Sequence, residues 1–296
     1  MASLSGHAGA GSSAAAAIAE LVDRHGPRLH ALALRLCGNR ADAEDMVQDV
    51  FLQALRGWHA FRREADPGTW LYSIAARACK ARLRRKGGID RRMPAMSQLL
   101  PWSERTVMAV AAAPPGEERS AERNEAIARV QAEIIRLPEH LRLPIVFKDV
   151  LELSVDDTAK ALGLAPNTVK TRLHRARMAL RKAMIARASG VAAPRPIYDK
   201  QICLDLLRVK LNTMDNVGAA ARFKVPQAEV CLRCRAVFRE LDLVQEACAQ
   251  MAEGRLPGPV KEKILRAINE RDGAARSGVG KSPRGRRPVL PGARRG

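Results

Sequence analysis

The segment Ser154–Leu180 reads SVDDTAKALGLAPNTVKTRLHRARMAL and predicts two short helices around a tight turn. Ser154 stands where an N-cap is expected, with Asp157 three residues later. Gly163 interrupts the first run, and Pro166 suits the first turn of a second helix. The apolar residues recur at helical spacing, namely Val155, Ala159 and Leu162, then Val169, Leu173, Ala176 and Leu180. The pattern indicates a helix-turn-helix.

The second helix leaves a basic, hydrogen-bonding face outside its apolar stripe. Cations offset phosphate charge, and Thr, His and Arg side chains can read base edges in the major groove. We therefore predict a DNA-recognition helix; the alternative is an ordinary helical hairpin with a solvated basic face. The predicted DNA-contacting residues are Asn167, Thr168, Lys170, Thr171, His174 and Arg175.

The composition favours a helical protein with a polyanionic partner. The chain has 296 residues, and 51 Lys and Arg against 31 Asp and Glu give a formal charge of +20. Nucleic acid is favoured over a membrane surface as the partner of such a chain. Aromatic residues make up 3% of the chain and strand-like alternation is scarce, so we expect an all-α fold.

Several other classes are not expected. We find no apolar run of membrane-spanning length and no signal peptide, so a cytoplasmic location without a membrane partner is expected. The six cysteines are then expected as thiols or metal ligands rather than disulfides. The chain carries no nucleotide-binding glycine loop and no nucleophile–base pair, so we predict that it is not an enzyme.

An acidic helix interrupts this basic chain. Residues 1–14 are rich in Gly, Ser and Ala and are expected to be disordered, and residues 15–86 are predicted to form a first helical domain. Asn39 is the predicted cap of the acidic helix. Its acidic face is either a partner surface or ordinary first-turn electrostatics. The face consists of Asp42, Glu44, Asp45, Gln48 and Asp49.

The next helix carries aromatic residues at its start and cations along one side. Pro67 and Gly68 turn the chain, and Thr69 is a candidate cap. Rings stack on unpaired bases and cations pair with phosphates, so this face suits melted nucleic acid; the alternative is core aromatics plus cations at a helix C-terminus. The residues of the face are Trp70, Arg77, Lys80, Arg82, Arg84 and Arg85.

These segments together resemble a known family. The acidic helix DAEDMVQDVFLQAL, the helix TWLYSIAARACKARLRR, a Gly- and Pro-rich linker predicted at residues 87–119, and a second domain at residues 120–188 ending in the helix-turn-helix follow one another. This order and spacing are similar to those of the bacterial extracytoplasmic-function (ECF) sigma factors. The resemblance covers roughly residues 18–184.

The resemblance implies a promoter-specificity subunit that binds core RNA polymerase and requires no cofactor. The first domain would be sigma region 2, which reads and helps melt the −10 element through Trp70 and the basic face. The second would be region 4, whose recognition helix reads the −35 element. The acidic face from Asp42 to Asp49 would bind the β′ clamp helices, and the linker would run toward the RNA exit path.

Two departures from the family pattern stand in the predicted DNA-binding helices. Arg77 and Ala81 occupy positions where the family usually has Asn and Asp, so the family's −10 preference does not transfer directly. Ala165 replaces the usual Ser cap of the recognition helix. That replacement costs about 1 kcal/mol of capping energy, which Pro166 offsets in part.

The chain continues beyond the family's minimal form. Residues 189–197 are a predicted hinge, and residues 198–270 are a predicted helical domain that resembles a zinc-binding anti-sigma domain. Residues 271–296 form a basic, Gly- and Pro-rich tail, predicted to be disordered and suited to non-specific DNA binding.

Three cysteines of this domain are candidate ligands or redox groups. Cys203 matches the first ligand of the anti-sigma pattern, and Cys231 and Cys234 match its C-x-x-C, whereas Gln227 stands at the position of its His. Three interpretations stay open: a zinc site completed by another group, a thiol switch, or a helical packing domain without sensing chemistry.

Two functions from different classes remain in competition. The first is a sigma factor modulated in cis by its C-terminal domain, with a separate anti-sigma factor as a further candidate partner. The second is a helix-turn-helix repressor or activator with a metal- or redox-sensing C-terminal domain. A repressor needs neither a polymerase-binding acidic helix nor a strand-opening surface, so the chain favours the sigma factor.

Overall fold

Helices dominate the described part of the chain, as expected. The computed structural model describes residues 13–61, 66–85, 96–108, 118–186, 190–216, 225–226, 229–251 and 255–276. Its α-helices are α1 (Ala14–Cys37), α2 (Arg40–Gly57), α3 (Pro67–Arg85), the short α4 (Met96–Leu99), α5 (Glu118–Arg136), α6 (Glu139–Ile145), α7 (Val155–Leu162), α8 (Pro166–Ile185), α9 (Lys200–Asp215), α10 (Leu232–Gln250) and α11 (Gly258–Arg276). The domain boundaries drawn from the sequence stay predictions.

The helix starts follow the sequence signals with one exception. Asn39 and Ser154 are N-caps that accept hydrogen bonds from the backbone N–H groups of Asp42 at 2.8 Å and Asp157 at 2.9 Å, which confirms both predictions. The predicted cap at Thr69 is wrong. Asp66 takes this role, because its carboxylate accepts from the N–H groups of Gly68 and Thr69 at the positive end of α3.

Helix α1 is continuous through Pro27. Proline removes one backbone hydrogen bond, and burial on both sides of the site holds the helix together. The preceding Gly26 has its own packing reason. A Cβ at Gly26 would lie 2.8 Å from Cδ2 of Leu256, a residue that precedes α11, so a larger residue here would have to displace the Leu256 side chain.

Two short strands join segments predicted as a linker and a hinge. Strand β1 (Thr106–Met108) pairs antiparallel with β2 (Gly190–Ala192), with Val107 opposite Val191. The backbone N–H of Ala193 extends this ladder by donating to the carbonyl of Arg105 at 2.8 Å. The described part of the linker is therefore tied to the chain that follows α8.

The apolar residues form two clusters. The larger cluster joins α1–α3 to α5–α8, and it includes the buried Ile264 and Ile268 of α11. The smaller cluster lies among α9, α10, Leu99 of α4 and Met178 of α8. Among the described residues, no helix is long and apolar enough to cross a membrane.

A buried arginine of α8 connects the segment that precedes the helix-turn-helix to α9. Arg177 is fully buried and donates two hydrogen bonds to Asp149, at 2.8 and 2.7 Å, and one to Asp215 at 2.6 Å. Asp149 lies in the π-helical turn Val146–Val150, which precedes the helix-turn-helix, and Asp215 ends α9. Burial alone would lower the pKa of Arg177, but the two carboxylates raise it above its ordinary value.

We predict that Arg177→Ala lowers the free energy of unfolding by about 3–5 kcal/mol, because it leaves two buried carboxylates without their cation. Chemical denaturation followed by circular dichroism measures the change. Lys170→Ala on the exposed face of α8 is the control and is expected to stay within about 0.5 kcal/mol of the parent chain. Equal stability of the two variants would contradict a structural role for the Arg177 carboxylate pair.

Candidate functional surfaces

The helix-turn-helix has the geometry that the sequence predicted. Gly163 ends α7 with a left-handed φ of 66°, and α8 begins at Pro166 without a side-chain cap at Ala165. The apolar stripe of α8 is buried, as expected. Of the predicted DNA-contacting residues, Asn167, Lys170 and Thr171 are exposed, whereas Thr168, His174 and Arg175 are half-buried.

His174 differs from the residues before it because the C-terminal domain contacts it. Its Nε2 lies 3.1 Å from Oδ2 of Asp215, the carboxylate that also binds Arg177. Burial would raise the pKa of Asp215, but hydrogen bonds from His174 and Arg177 hold it below its ordinary value of 3.8. The stability that the ionised Asp215 carboxylate contributes is therefore present at neutral pH and is lost as pH falls through its lowered pKa.

The predicted strand-opening surface of α3 contains an aromatic cluster. Trp70 packs against Phe61, with ring centroids 4.8 Å apart, and against Trp58 at 5.9 Å. All three rings are half-buried, so part of each stays accessible. The cluster thus combines the core packing and the exposed ring surface that the sequence left as alternatives.

The predicted cations of α3 do not form one uniform basic face. Arg77 is exposed, but Nζ of Lys80 donates to the carbonyl of Leu162 at 3.1 Å, which ties α3 to α7. Arg82 donates to Asp42 at 3.0 Å and lies 4.0 Å from Asp49. The side chains of Arg84 and Arg85 lie outside the described residues.

The acidic face of α2 is partly paired with cations of α2 itself, α3 and α11. Besides the contacts of Arg82, Arg40 donates to Glu44 at 2.7 Å within α2, and Nζ of Lys263 in α11 lies 3.9 Å from Asp45. Asp45 and Asp49 remain exposed, and Gln48 is half-buried. The structure therefore places all five predicted residues on one helix and brings α11 to its edge.

Helix α11 docks on α1 and α2 through apolar side chains. Ile264 and Ile268 are fully buried, and Val260 is nearly so. An ion pair of 2.6 Å joins Lys261 to Asp23 of α1 at the rim. Fully burying one isoleucine contributes about 1.5–3 kcal/mol, so the apolar contacts dominate this docking.

A second buried arginine of α8 connects the linker to α10. Arg181 is fully buried, and it donates to Glu240 of α10 at 2.7 Å and to Glu104 of the linker at 3.1 Å. The sequence patterns did not point to Arg177, Arg181, Asp149, Asp215 and Glu240 as interacting residues. The available signal was that Arg177 and Arg181 stand four residues apart beside an apolar stripe, where a cation requires a buried partner.

The three candidate cysteines lie together. The Sγ atoms of Cys203, Cys231 and Cys234 are all within 4.8 Å of one another, and those of Cys203 and Cys234 are 3.6 Å apart. Cys231 is the N-cap residue of α10, and Cys234 lies in the first turn of that helix. Gln227 lies outside the described residues.

The three thiols have different electrostatic environments. Burial raises the pKa of Cys203 and Cys234 above its ordinary value. Burial also acts on Cys231, but backbone N–H groups at the start of α10, that of Cys234 foremost, hold its pKa below the usual range. A tetrahedral zinc ion with Zn–S bonds of about 2.3 Å would hold its sulfurs about 3.8 Å apart, so the three sulfurs are near the spacing that zinc requires.

Comparisons with known proteins agree with the two predicted sigma domains. The Sigma-70 region 2 family matches residues 21–89, and the Sigma-70 region 4 family matches residues 127–180. Helices α9–α11 lie outside both matches. The region 2 match disfavours the helix-turn-helix repressor, because a repressor needs neither the acidic helix nor the strand-opening surface of α3.

Named relatives belong to the same family. ECF RNA polymerase sigma factor SigM of Mycobacterium tuberculosis is 34% identical over 58% of this chain and 79% of its own length. SigW of Bacillus subtilis is 33% identical over 56% of this chain and 88% of its own length.

Two solved structures are more distant. The sigma factor RpoE of Bartonella quintana, in complex with the anti-sigma factor NepR, has a TM-score of 0.38 and 24% identity, and covers 56% of this chain and 94% of its own. CnrH, in complex with the cytosolic domain of CnrY, has a TM-score of 0.41 and 26% identity, and covers 59% of this chain and 97% of its own. On the strength of the family matches and the named relatives, the chain belongs to the ECF sigma factors, which bind core RNA polymerase and direct it to promoters.

Proposed function

We propose that the two halves of α8 have different roles. Its N-terminal half reads −35 DNA, with exposed Asn167, Lys170 and Thr171 making the first contacts, joined by Thr168, His174 and Arg175. Its C-terminal half carries Arg177 and Arg181, which anchor the helix internally. The support is the change from exposed polar residues to buried, paired arginines along one helix.

We propose that α3 and α2 supply the remaining sigma contacts. Trp70 and its neighbouring rings stack on melted −10 bases, and Arg77 and the other cations of α3 bind the phosphates. The face of Asp42, Glu44, Asp45, Gln48 and Asp49 binds the β′ clamp helices. Such a subunit acts in the cytoplasm, where its polymerase is, and performs no catalysis of its own.

We infer that α9–α11 act as a built-in inhibitor of these surfaces. The observation that carries this inference is the position of α11 on α1 and α2, beside Asp45, while Asp215 of α9 contacts His174. Polymerase and −35 DNA then compete with the chain's own C-terminal domain. The solved sigma factor RpoE named above is in complex with a separate anti-sigma factor, and such a partner is the alternative here.

We propose zinc as the ion held by Cys203, Cys231 and Cys234. Three mutually close thiols favour a metal over a disulfide, which would use two of them. When bound, the ion supplies a cross-link between α9 and the start of α10. The thiol switch between Cys203 and Cys234 remains the second interpretation, because their sulfurs are 3.6 Å apart.

Undocking α11 is expected to raise promoter-dependent transcription. In Ile264→Asp a charge replaces a fully buried side chain, so the docked state loses more than the 1.4 kcal/mol that corresponds to a tenfold change in population. We expect the apparent affinity for core polymerase to rise about tenfold in the full-length chain. Run-off transcription on a selected promoter pool and a core-binding titration measure the effect.

Asn269→Asp on the exposed side of α11 is the matched control, because it adds the same charge without touching the core. It is expected to behave like the parent chain. If Ile264→Asp, shown to be folded, also behaved like the parent chain, inhibition in cis would be ruled out and the sigma assignment would stand. If neither the parent chain nor either variant gave a transcript at any protein concentration, the result would contradict the proposed contact residues.

Removing the carboxylate that contacts His174 is expected to expose the recognition helix. Asp215→Asn should strengthen binding to a −35 duplex several-fold at low salt, because DNA no longer competes with this contact. Fluorescence anisotropy measures the affinity. Asp205→Asn, on the exposed side of α9, changes the net charge equally and controls for charge alone. An equal gain in both variants would refute a specific role for Asp215.

A further inference from the structure

Arg233 lies between the two cysteines of the C-x-x-C motif and binds the interdomain linker. Its side chain is nearly buried, and its Nη2 donates to the carbonyls of Pro101 and Trp102, both at 2.9 Å, and of Glu104 at 2.6 Å. Its Nη1 donates to the carbonyl of Pro194 at 3.2 Å. The Arg233 guanidinium thus connects the linker to the segment that follows β2.

These contacts are part of a wider attachment of the linker to the C-terminal domain. Leu99 is buried in the cluster formed with α9 and α10, Glu104 is paired with Arg181, and β1 pairs with β2. Residues 99–108 therefore lie against the domain rather than along a separate path. A sigma linker held in this way is not available to polymerase.

The position of Arg233 depends on the backbone of residues 231–234. Cys231 caps α10 and Cys234 lies in its first turn, so both cysteines flank Arg233 within one tight segment. Cys203 reaches the same point from α9. A thiophilic cation bound by all three sulfurs would fix this segment at both ends, and with it the direction of the Arg233 side chain.

We propose that Arg233 is a linker clamp controlled by occupancy of the three-thiol site. A d¹⁰ cation such as Zn²⁺, bound by Cys203, Cys231 and Cys234, keeps Arg233 on the linker carbonyls; loss of the cation lets residues 231–234 move and frees the linker for polymerase. The proposal rests on the proposed inhibition in cis. It adds that the linker is the segment withheld from polymerase and that Arg233 is the group that holds it.

Hydrogen exchange of the free, full-length chain tests the clamp without polymerase. The parent chain, Arg233→Ala and Arg233→Lys are compared with Zn²⁺ bound and after chelation, with Arg239→Ala on the exposed side of α10 as the control. Co²⁺ absorption reports whether the thiols of each variant still bind one metal ion. Exchange is read in residues 102–108.

With Zn²⁺ bound, we expect slow exchange in the parent chain and in Arg239→Ala, and exchange at least tenfold faster in Arg233→Ala. Arg233→Lys should fall between them, because an ammonium lacks the fan of donors that reaches several carbonyls. Chelation should bring the parent chain to the Arg233→Ala rate. All variants should bind one metal ion.

Three results would overturn the proposal. Slow exchange in Arg233→Ala would show that Arg233 does not hold the linker. Unchanged exchange of the parent chain after chelation would separate the clamp from the thiol site. Failure of the three cysteines to bind Zn²⁺ would remove the ligand. None of these results bears on transcription by the Ile264→Asp variant, so the clamp and the inhibition in cis fail separately.

Discussion

The recognition helix α8 carries a fully buried guanidinium, and carboxylates from two parts of the chain hold it in place. Arg177 binds Asp149 of its own domain and Asp215 of α9. Four residues on, Arg181 repeats the arrangement with Glu104 and Glu240. Breaking either set leaves a charge unpaired in a region of low dielectric, so the C-terminal domain becomes part of the packing of the recognition helix.

The C-terminal domain is also attached to the region 2 domain, where hydrophobic burial rather than charge holds α11 on α1 and α2. The two attachments differ in their physical basis: carboxylates bound to arginines on α8, and isoleucines packed on α1 and α2. A partner that displaced the domain would have to outcompete both. To move the chain from mostly docked to mostly undocked, the partners must bind the undocked state about 10⁴-fold more tightly than the docked one, which is about 5.5 kcal/mol. Polymerase and promoter together can supply this difference.

Periodicity and capping chemistry were enough to predict the helices, because both are local properties of the sequence. Ser154, Asn39, Gly163 and the apolar stripe of α8 lie where expected. Long-range contacts were not predictable in this way: the pairing of Asp215 with His174 joins residues 41 apart, and Arg233 reaches a linker about 130 residues earlier. The closeness of the three thiols was anticipated only through a resemblance to another domain.

Hydrogen exchange of α11 in the full-length chain, alone and bound to core polymerase, tests inhibition in cis most directly. If α11 covers the surface that polymerase needs, amides of residues 258–276 are protected in the free chain and exchange faster in the complex, while those of α2 become more protected. Undiminished protection of α11 in the complex would show that polymerase binds without displacing it, and would contradict the competition on which inhibition in cis depends.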